Sequence, residues 1–180
     1  MWIPMKSLRE HIAEAEEKKV AIGHFNVSDT LGFWAVANAA KKLNLPVIIG
    51  VSEGERDFIG IKQIKALVDT IKNEMPIFLN ADHTYSVARI KEVIDAGFDA
   101  AIIDGADKSF EENLEITKES ALYVREKNKE NKTDILIESE LGFIGKSSKM
   151  LDEAPSGVKM TEAEEAAGFV KETGIDLFAP

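Results

Sequence analysis

Short runs of apolar, largely β-branched residues alternate with longer amphipathic stretches along the whole chain. The runs lie at residues 20–27, 46–52, 76–83, 99–106, 134–142 and 175–180. Short, nearly continuous runs rich in Val and Ile are typical of strands that are buried on both faces of a sheet. We therefore predict six strands, each separated from the next by helical sequence.

One of the stretches between the runs shows a clear helical period. Val87, Ile90 and Ile94 recur at the spacing of one helix face, and Gly97 follows them as a C-terminal stop. The spacing predicts a helix that begins near Val87 and ends shortly before Gly97.

Two further helix starts are predicted from capping signals. Ser109 with Glu112, and Thr161 with Glu164, match the capping box. In a capping box, a Ser or Thr side chain and a Glu side chain three residues later satisfy the free amides at a helix start.

The alternation of strands and helices predicts the fold class. Strands that are joined by helices must be connected by crossovers, which produce a parallel sheet. A doubly wound sheet and a TIM (β/α)8 barrel both fit such a chain, but no G-x-G-x-x-G phosphate motif follows the first run, which favours the barrel. We predict an α/β fold of the TIM-barrel type.

The chain is shorter than a complete barrel. A typical barrel has eight strands and about 250 residues, whereas this sequence has 180 residues and ends with the sixth run. We therefore expect a single partial domain over residues 1–180, with about six parallel strands and flanking helices.

The composition limits the possible metal ligands, binding partners and location of the protein. The chain has no cysteine, so any metal must be held by imidazole and carboxylate groups. A net charge of −10 disfavours nucleic acid and anionic membranes as partners. No apolar run approaches the ~20 residues of a membrane span, and the first residues do not resemble a signal peptide. We expect a cytoplasmic protein.

Polar side chains gather where the predicted strands end. They are Asn80, Asp82, His83, Asp104, Glu138 and Glu140, with His24, Asn26 and Ser52 on the first two strands. The carboxyl ends of parallel strands meet at one edge of the sheet, so these groups should lie together. Like charges placed close together are unfavourable without a compensating cation, which predicts a divalent metal.

Structural roles remain open for several of these residues. His83 and His24 could be packing residues, and Asp82 or Asp104 could cap the helix that follows it. Two glutamates on one face of a buried strand, Glu138 and Glu140, are harder to explain by packing alone.

The motifs along the chain resemble the class II fructose-bisphosphate and tagatose-bisphosphate aldolase family. The resemblance runs through HFNV, LNADHT, IIDGADKSFEEN, ESELGFIG and EEAAGFVKETGIDLFAP, in that order. It implies the following roles: His83, Glu140 and Asp104 at the metal, Asp82 as acid/base, Glu138 beside the metal ligands, and Asn26 and Ser52 at the substrate.

The resemblance implies a zinc-dependent lyase of glycolysis and related carbohydrate metabolism, typically a homo-oligomer. Such an enzyme cleaves fructose or tagatose 1,6-bisphosphate into glycerone phosphate and glyceraldehyde 3-phosphate. Cleavage next to a ketone leaves an enediolate, which zinc stabilises as a Lewis acid, while Asp82 would move the proton on the C4 oxygen. A lysine Schiff base is disfavoured because no lysine lies at a predicted strand end; Lys108 and Lys146 fall in loops.

Three departures from the family pattern limit this expectation. Asn80 stands where many relatives have histidine, and Lys146-Ser147-Ser148 replaces an expected acidic residue that would serve in proton transfer. The family's two further zinc histidines and its phosphate loops would lie beyond Pro180. We therefore expect weak or no activity from this chain alone.

Two alternatives follow. The chain could be a non-catalytic partial barrel that associates with another chain, because open sheet edges favour association. It could also be a different phosphosugar-handling barrel enzyme, since one fold supports many reactions.

Overall fold

The computed structural model describes residues 6–142 and 161–180, which form six strands and seven helices. The strands are β1 (Gly23–Asn26), β2 (Val47–Val51), β3 (Ile77–Thr84), β4 (Ala100–Ile103), β5 (Leu136–Glu140) and β6 (Leu177–Ala179). The helices are α1 (Leu8–Lys18), α2 (Thr30–Leu43), α3 (Glu53–Ile59), α4 (Ile61–Ile71), α5 (Val87–Asp95), α6 (Phe110–Asn131) and α7 (Ala163–Thr173).

All six strands are parallel and pair in chain order, from β1 to β6. Helices connect successive strands, and the sheet forms a half-barrel. The prediction of a TIM-barrel type of fold with six parallel strands is confirmed. In the part of the chain that the structure describes, no helix is both long and apolar enough to cross a membrane.

The main core lies between the outer face of the sheet and the helices. Strand residues of this face are fully or almost fully buried against apolar helix residues. The largest among them are Ile49, Ile77, Leu79, Ile103 and Ile137 from the strands, and Phe33, Ile64, Ile90 and Phe169 from the helices. Because side chains alternate along a strand, the even-numbered residues of β1, β2, β4 and β5, and those of β3 up to Asp82, point to the inner face.

A second, smaller core closes the lower end of the inner face, where the strands begin. Leu8 of α1 is buried there against Phe78, Ala100 and Leu136. His11, on the same helix, lies edge-on to the Phe78 ring with 5.5 Å between ring centroids. Helix α1 therefore plugs this end of the half-barrel.

The predicted starts of α5 and α6 agree with the structure. Helix α5 runs from Val87 to Asp95, and Gly97 follows it with a φ of +86°. The capping box of Ser109 and Glu112 is present at the start of α6. Both predictions are confirmed.

The capping box predicted at Thr161 is wrong. Helix α7 begins after Glu162, and no side chain caps it. The Thr161 hydroxyl instead donates a hydrogen bond to the Leu141 carbonyl, at 2.7 Å. This contact ties the start of α7 to the end of β5.

Candidate metal centre

The inner face of the sheet changes from apolar to polar along its strands. On β3, Phe78 is followed on the same face by Asn80 and Asp82; on β5, Leu136 is followed by Glu138 and Glu140. The residues beyond the change lie at the upper end, where the strands finish. In a TIM-type barrel this is the end that carries function.

His83, Asp104 and Glu140 form a compact cluster at this upper end. The Nδ1 atom of His83 lies 2.9 Å from Oδ2 of Asp104 and 3.7 Å from Oε2 of Glu140. One ligand atom from each residue lies within 4.8 Å of the others. One imidazole nitrogen and two carboxylate oxygens suit a divalent cation, so the donor set fits a metal site.

A proton on His83 offsets part of the negative charge in the cluster. The hydrogen bond with Asp104, assisted by the charges of Asp82, Asp104 and Glu140, raises the pKa of His83 to about 9 although burial acts in the opposite direction. Burial, and then the negative charge of Asp104, raise the pKa of Glu140. The imidazolium thus compensates carboxylates that would otherwise repel one another.

A backbone irregularity orients His83. Between Ala81 and Thr84, β3 has one residue more than the facing segment of β4, which is a β-bulge. His83 lies within it with a φ of +39°. A left-handed conformation in a residue other than glycine costs about 1–3 kcal/mol. Regular alternation would place neighbouring residues on opposite faces, but here His83 Nε2 lies 3.9 Å from Asp82 Oδ1.

Asp82 lies beside the cluster and is oriented by β1. Its Oδ2 atom accepts a hydrogen bond of 2.8 Å from Nδ2 of Asn26. The same amide also donates to Oε2 of Glu55 at 3.3 Å. Asn26 therefore holds one carboxylate oxygen of Asp82 and leaves the other facing His83.

The alternative that Asp82 or Asp104 caps a helix is wrong. Helix α5 is capped by Ser86 and helix α6 by Ser109. Asp104 instead accepts from the Ala106 amide at 3.0 Å and contacts His83 through its other oxygen.

Glu138 is half-buried on the inner face below Glu140. Burial is the main cause that raises the pKa of its carboxyl group, and the charges of Asp82 and Glu140 add to it. Its partial burial therefore makes the ionised form less favourable than it is in water. Its assignment beside the metal ligands stays a prediction.

Ser52 is engaged by the helix that follows it. Its hydroxyl accepts from the Glu55 amide, and the Glu55 carboxylate accepts from the Ser52 amide at 2.6 Å, forming a capping box for α3. The predicted contact of Ser52 with substrate therefore remains a prediction, as does that of Asn26.

Gly50 allows β1 and β3 to touch across β2. A Cβ atom at Gly50 would lie 2.4 Å from His24 Nε2 and 2.5 Å from Asn26 Oδ1. Over this glycine, His24 Nε2 reaches Asn80 Nδ2 at 3.3 Å. The other amide atom of Asn80, Oδ1, is buried and has no hydrogen-bond partner in the described structure.

Sequence reasoning missed two buried polar residues that support the centre. Arg56 of α3 donates to the backbone carbonyls of Val51 and Asp82. Asn113 of α6 donates to the Glu140 carbonyl at 2.9 Å. Asn113 could have been found, because Asn113, Thr117 and Ser120 recur at helical spacing on the face of α6 that is buried. Arg56 gave no such signal.

One segment named in the sequence comparison with the family lies outside the described residues. Lys146, Ser147 and Ser148, which replace an expected acidic residue, fall within 143–160. The proton-abstracting group that was expected there is therefore not located by the structure.

The chain is similar to known fructose-bisphosphate aldolases along almost its whole length. The family model described as "Fructose-bisphosphate aldolase class-II" matches residues 6–180. The fructose-bisphosphate aldolase of Staphylococcus aureus is 32% identical, over 99% of this chain and 61% of its own length. The fructose-bisphosphate aldolase of Geobacillus stearothermophilus is 33% identical, over 97% of this chain and 60% of its own length.

The solved structures include aldolases with the same fold. The YdjI aldolase from Escherichia coli K12 has a TM-score of 0.77 and 25% identity, covering 96% of this chain and 59% of its own. The chain thus spans about three-fifths of the length of the relatives it matches.

Proposed function

Because the chain belongs to the class II fructose-bisphosphate aldolase family, we propose that it serves a zinc-dependent aldolase reaction. The substrate would be fructose or tagatose 1,6-bisphosphate, and the products glycerone phosphate and glyceraldehyde 3-phosphate. The observation that carries the proposal is the cluster of His83, Asp104 and Glu140 at the upper end of the strands, with Asp82 beside it.

His83, Asp104 and Glu140 would hold the Zn²⁺ ion. When bound, the ion would act as a Lewis acid on the oxygen atoms next to the bond that breaks. To bind it, His83 must give up the proton that it shares with Asp104. Glu138, whose carboxyl group is half-buried nearby, would add negative charge that favours a cation.

Asp82 would transfer the proton at the C4 oxygen of the substrate. Its Oδ2 atom is held by Asn26 at 2.8 Å, which fixes the carboxylate in one orientation. A positioned carboxyl group of this kind contributes about 10²–10⁴-fold to a rate. Asn26 and Ser52, at the ends of β1 and β2, would contact the substrate.

The decisive experiment is a calorimetric Zn²⁺ titration of the 180-residue chain, followed by product analysis with both bisphosphates. We expect zinc binding at one site and, at most, weak C–C cleavage of one bisphosphate by this chain alone. An epimerised product without cleavage would favour a different phosphosugar-handling enzyme. A folded chain that neither binds zinc nor turns over substrate would favour a non-catalytic partial barrel.

The role of Asp82 is tested by Asp82→Asn in the same chain extended through two more strand–helix units. We expect turnover to fall by about 10²–10⁴-fold while the zinc dissociation constant stays unchanged. The matched control is Asp57→Asn, since Asp57 is an exposed aspartate that pairs with Arg89 away from the cluster. Equal losses of zinc and turnover in Asp82→Asn would contradict the acid/base role.

The cytoplasmic location, the homo-oligomer and the place in glycolysis stay predictions. The family membership supports a sugar phosphate as the substrate class, and the aldolase relatives are consistent with carbohydrate metabolism.

A further inference from the structure

We propose that Arg56 is a positioning residue for the metal centre, which holds the backbone on both sides of His83 and thereby aims its imidazole. This inference rests on the proposed role of His83 as a metal ligand. Arg56 touches no atom of His83, Asp104 or Glu140 in the contacts that the structure shows, so its effect is exerted through the β3 backbone.

The contacts of the guanidinium bracket His83. The Nη1 atom donates to the carbonyl of Asp82 at 3.0 Å, and Nη2 donates to the hydroxyl of Thr84 at 2.8 Å. Nη1 also donates to the Val51 carbonyl at 2.6 Å. The residues immediately before and after His83 are thus tied to one planar group, which is itself anchored to the end of β2.

The Arg56 contacts hold a segment of β3 that is less well fixed by backbone pairing within the sheet. The pairing of β3 with β4 shifts register between Ala81 and Thr84, so the regular ladder does not fix the segment that contains His83. His83 also needs a left-handed backbone, with φ at +39°. The Arg56 contacts stabilise both the extra residue of the bulge and the dihedral angle that directs the imidazole toward Asp104.

Arginine is suited to this task because of its shape. The guanidinium group presents its donors in a rigid fork, so the spacing between the Asp82 carbonyl and the Thr84 hydroxyl is fixed. Lysine would supply the charge without that fork. Arg56 is only 1% exposed, and burial of a charged group is unfavourable unless its hydrogen bonds and nearby charges compensate. Its nearest ion-pair partner is Glu53, at 3.9 Å.

The experiment compares Arg56→Met, Arg56→Lys and Thr84→Val with the control Arg89→Met. Thr84→Val removes one hydrogen-bond acceptor of Arg56 while keeping the shape of the side chain. If the arginine variants do not fold, Thr84→Val tests the proposal in their place. Arg89 is a neighbouring arginine that pairs with Asp57 and Glu92 and lies 3.8 Å from Glu53, but it has no contact with His83, Asp104 or Glu140 among those that the structure shows. Each variant is measured by thermal unfolding, by Zn²⁺ calorimetry, and by the NMR signal of the His83 Nδ1 proton without metal.

We expect Arg56→Met and Arg56→Lys to weaken zinc binding by about 10–100-fold, the range seen when supporting residues of metal sites are removed. The downfield signal of the hydrogen-bonded His83 Nδ1 proton should be lost in both and reduced in Thr84→Val. Arg89→Met should leave zinc affinity and the proton signal as in the wild type.

A purely structural role gives a different result. If the folded Arg56 variants, or Thr84→Val alone, unfold at a lower temperature yet keep wild-type zinc affinity and the His83 proton signal, the proposal is overturned. Wild-type properties in Arg56→Lys would also overturn it, because the fork would then be dispensable. If the wild type itself binds no zinc, the proposed function fails, and the proton signal still decides the role of Arg56.

Discussion

At the lower end of the inner face, Phe78 and Leu136 are buried against α1, whereas Asn80 and Glu138 follow them on the same two strands. The change from an apolar to a polar inner face takes only two residues on each strand. Burial of a large apolar side chain stabilises a fold by about 1.5–3 kcal/mol, while carboxylates placed close together oppose folding. The two ends of the same strands therefore differ in role: the lower end stabilises the fold, and the upper end holds the proposed metal centre.

The largest effect is expected from Phe78→Ala at the lower end. Phe78 is 3% exposed and packs against α1, so the cavity should lower the free energy of unfolding by about 3–5 kcal/mol. Urea unfolding measures this loss. At temperatures where the variant is folded, its zinc affinity should be unchanged.

Phe25→Ala is the matched control, because Phe25 lies on the outer face of β1 and is 51% exposed. Its effect should stay within about 0.5 kcal/mol. A parallel loss of zinc binding in Phe78→Ala would show that the two ends are not independent.

A smaller effect is expected from Asn113→Ala, which removes a support of the upper end. The Glu140 carbonyl would be left buried without its donor, at a cost of about 1–3 kcal/mol. Because Glu140 belongs to the proposed metal centre, zinc affinity should also fall, by about 10–100-fold. Denaturation and calorimetry test both, with Asn131→Ala at the exposed end of α6 as the control. Unchanged zinc affinity would mean that the Glu140 side chain is positioned by other contacts.

The pH dependence of stability should be modest. The pKa of His83 is raised from 6.5 to about 9 in the folded state, so its contribution is fully present below pH 6.5 and is lost as pH rises through 9. The side chain is 42% exposed, and screening limits the contribution to about 1 kcal/mol or less. That loss corresponds to a decrease in Tm of about 2–4 °C, followed by calorimetry of the metal-free protein. His83→Gln should remove the slope between pH 6.5 and 9; the same slope in this variant would assign it to another group.

The smallest effect, and the only stabilising one among these variants, is expected from Glu138→Gln. Burial raises the pKa of this carboxyl group, so the fold favours the neutral form, which glutamine resembles. Stability at pH 7–8 should rise by up to about 0.5 kcal/mol. Glu126→Gln, on the exposed surface of α6, provides the control. A clear loss of stability would show that the ionised form of Glu138 is needed by the fold.

The strands and the members of the candidate metal cluster could be predicted because their signals are local. Each strand is a short apolar run, and each candidate ligand lies among the last three residues of such a run. Since parallel strands place their carboxyl ends together, His83, Asp104 and Glu140 could be grouped from the sequence. The structure brings these three together.

The supporting contacts could not be predicted because they depend on partners far apart in the sequence. The bulge at His83 follows from the pairing of β3 with β4, and Arg56 acts on a strand 26 residues later in the chain. At Thr161 the sequence predicted a contact that the structure does not form. Its sequence matches a capping box, but a tertiary acceptor, the Leu141 carbonyl, takes the hydroxyl instead. A capping motif forms its cap only when no residue from elsewhere in the fold takes the hydrogen bond of the capping side chain.

Because Gly50 has no side chain, side chains of β1 and β3 contact each other across β2, although these two strands share no backbone hydrogen bonds. In this way, Asn26 on the outermost strand orients Asp82 two strands away. Any larger residue at position 50 would push these groups apart while leaving the sheet paired. This position should therefore tolerate almost no drift during evolution, although it binds nothing and bears no charge.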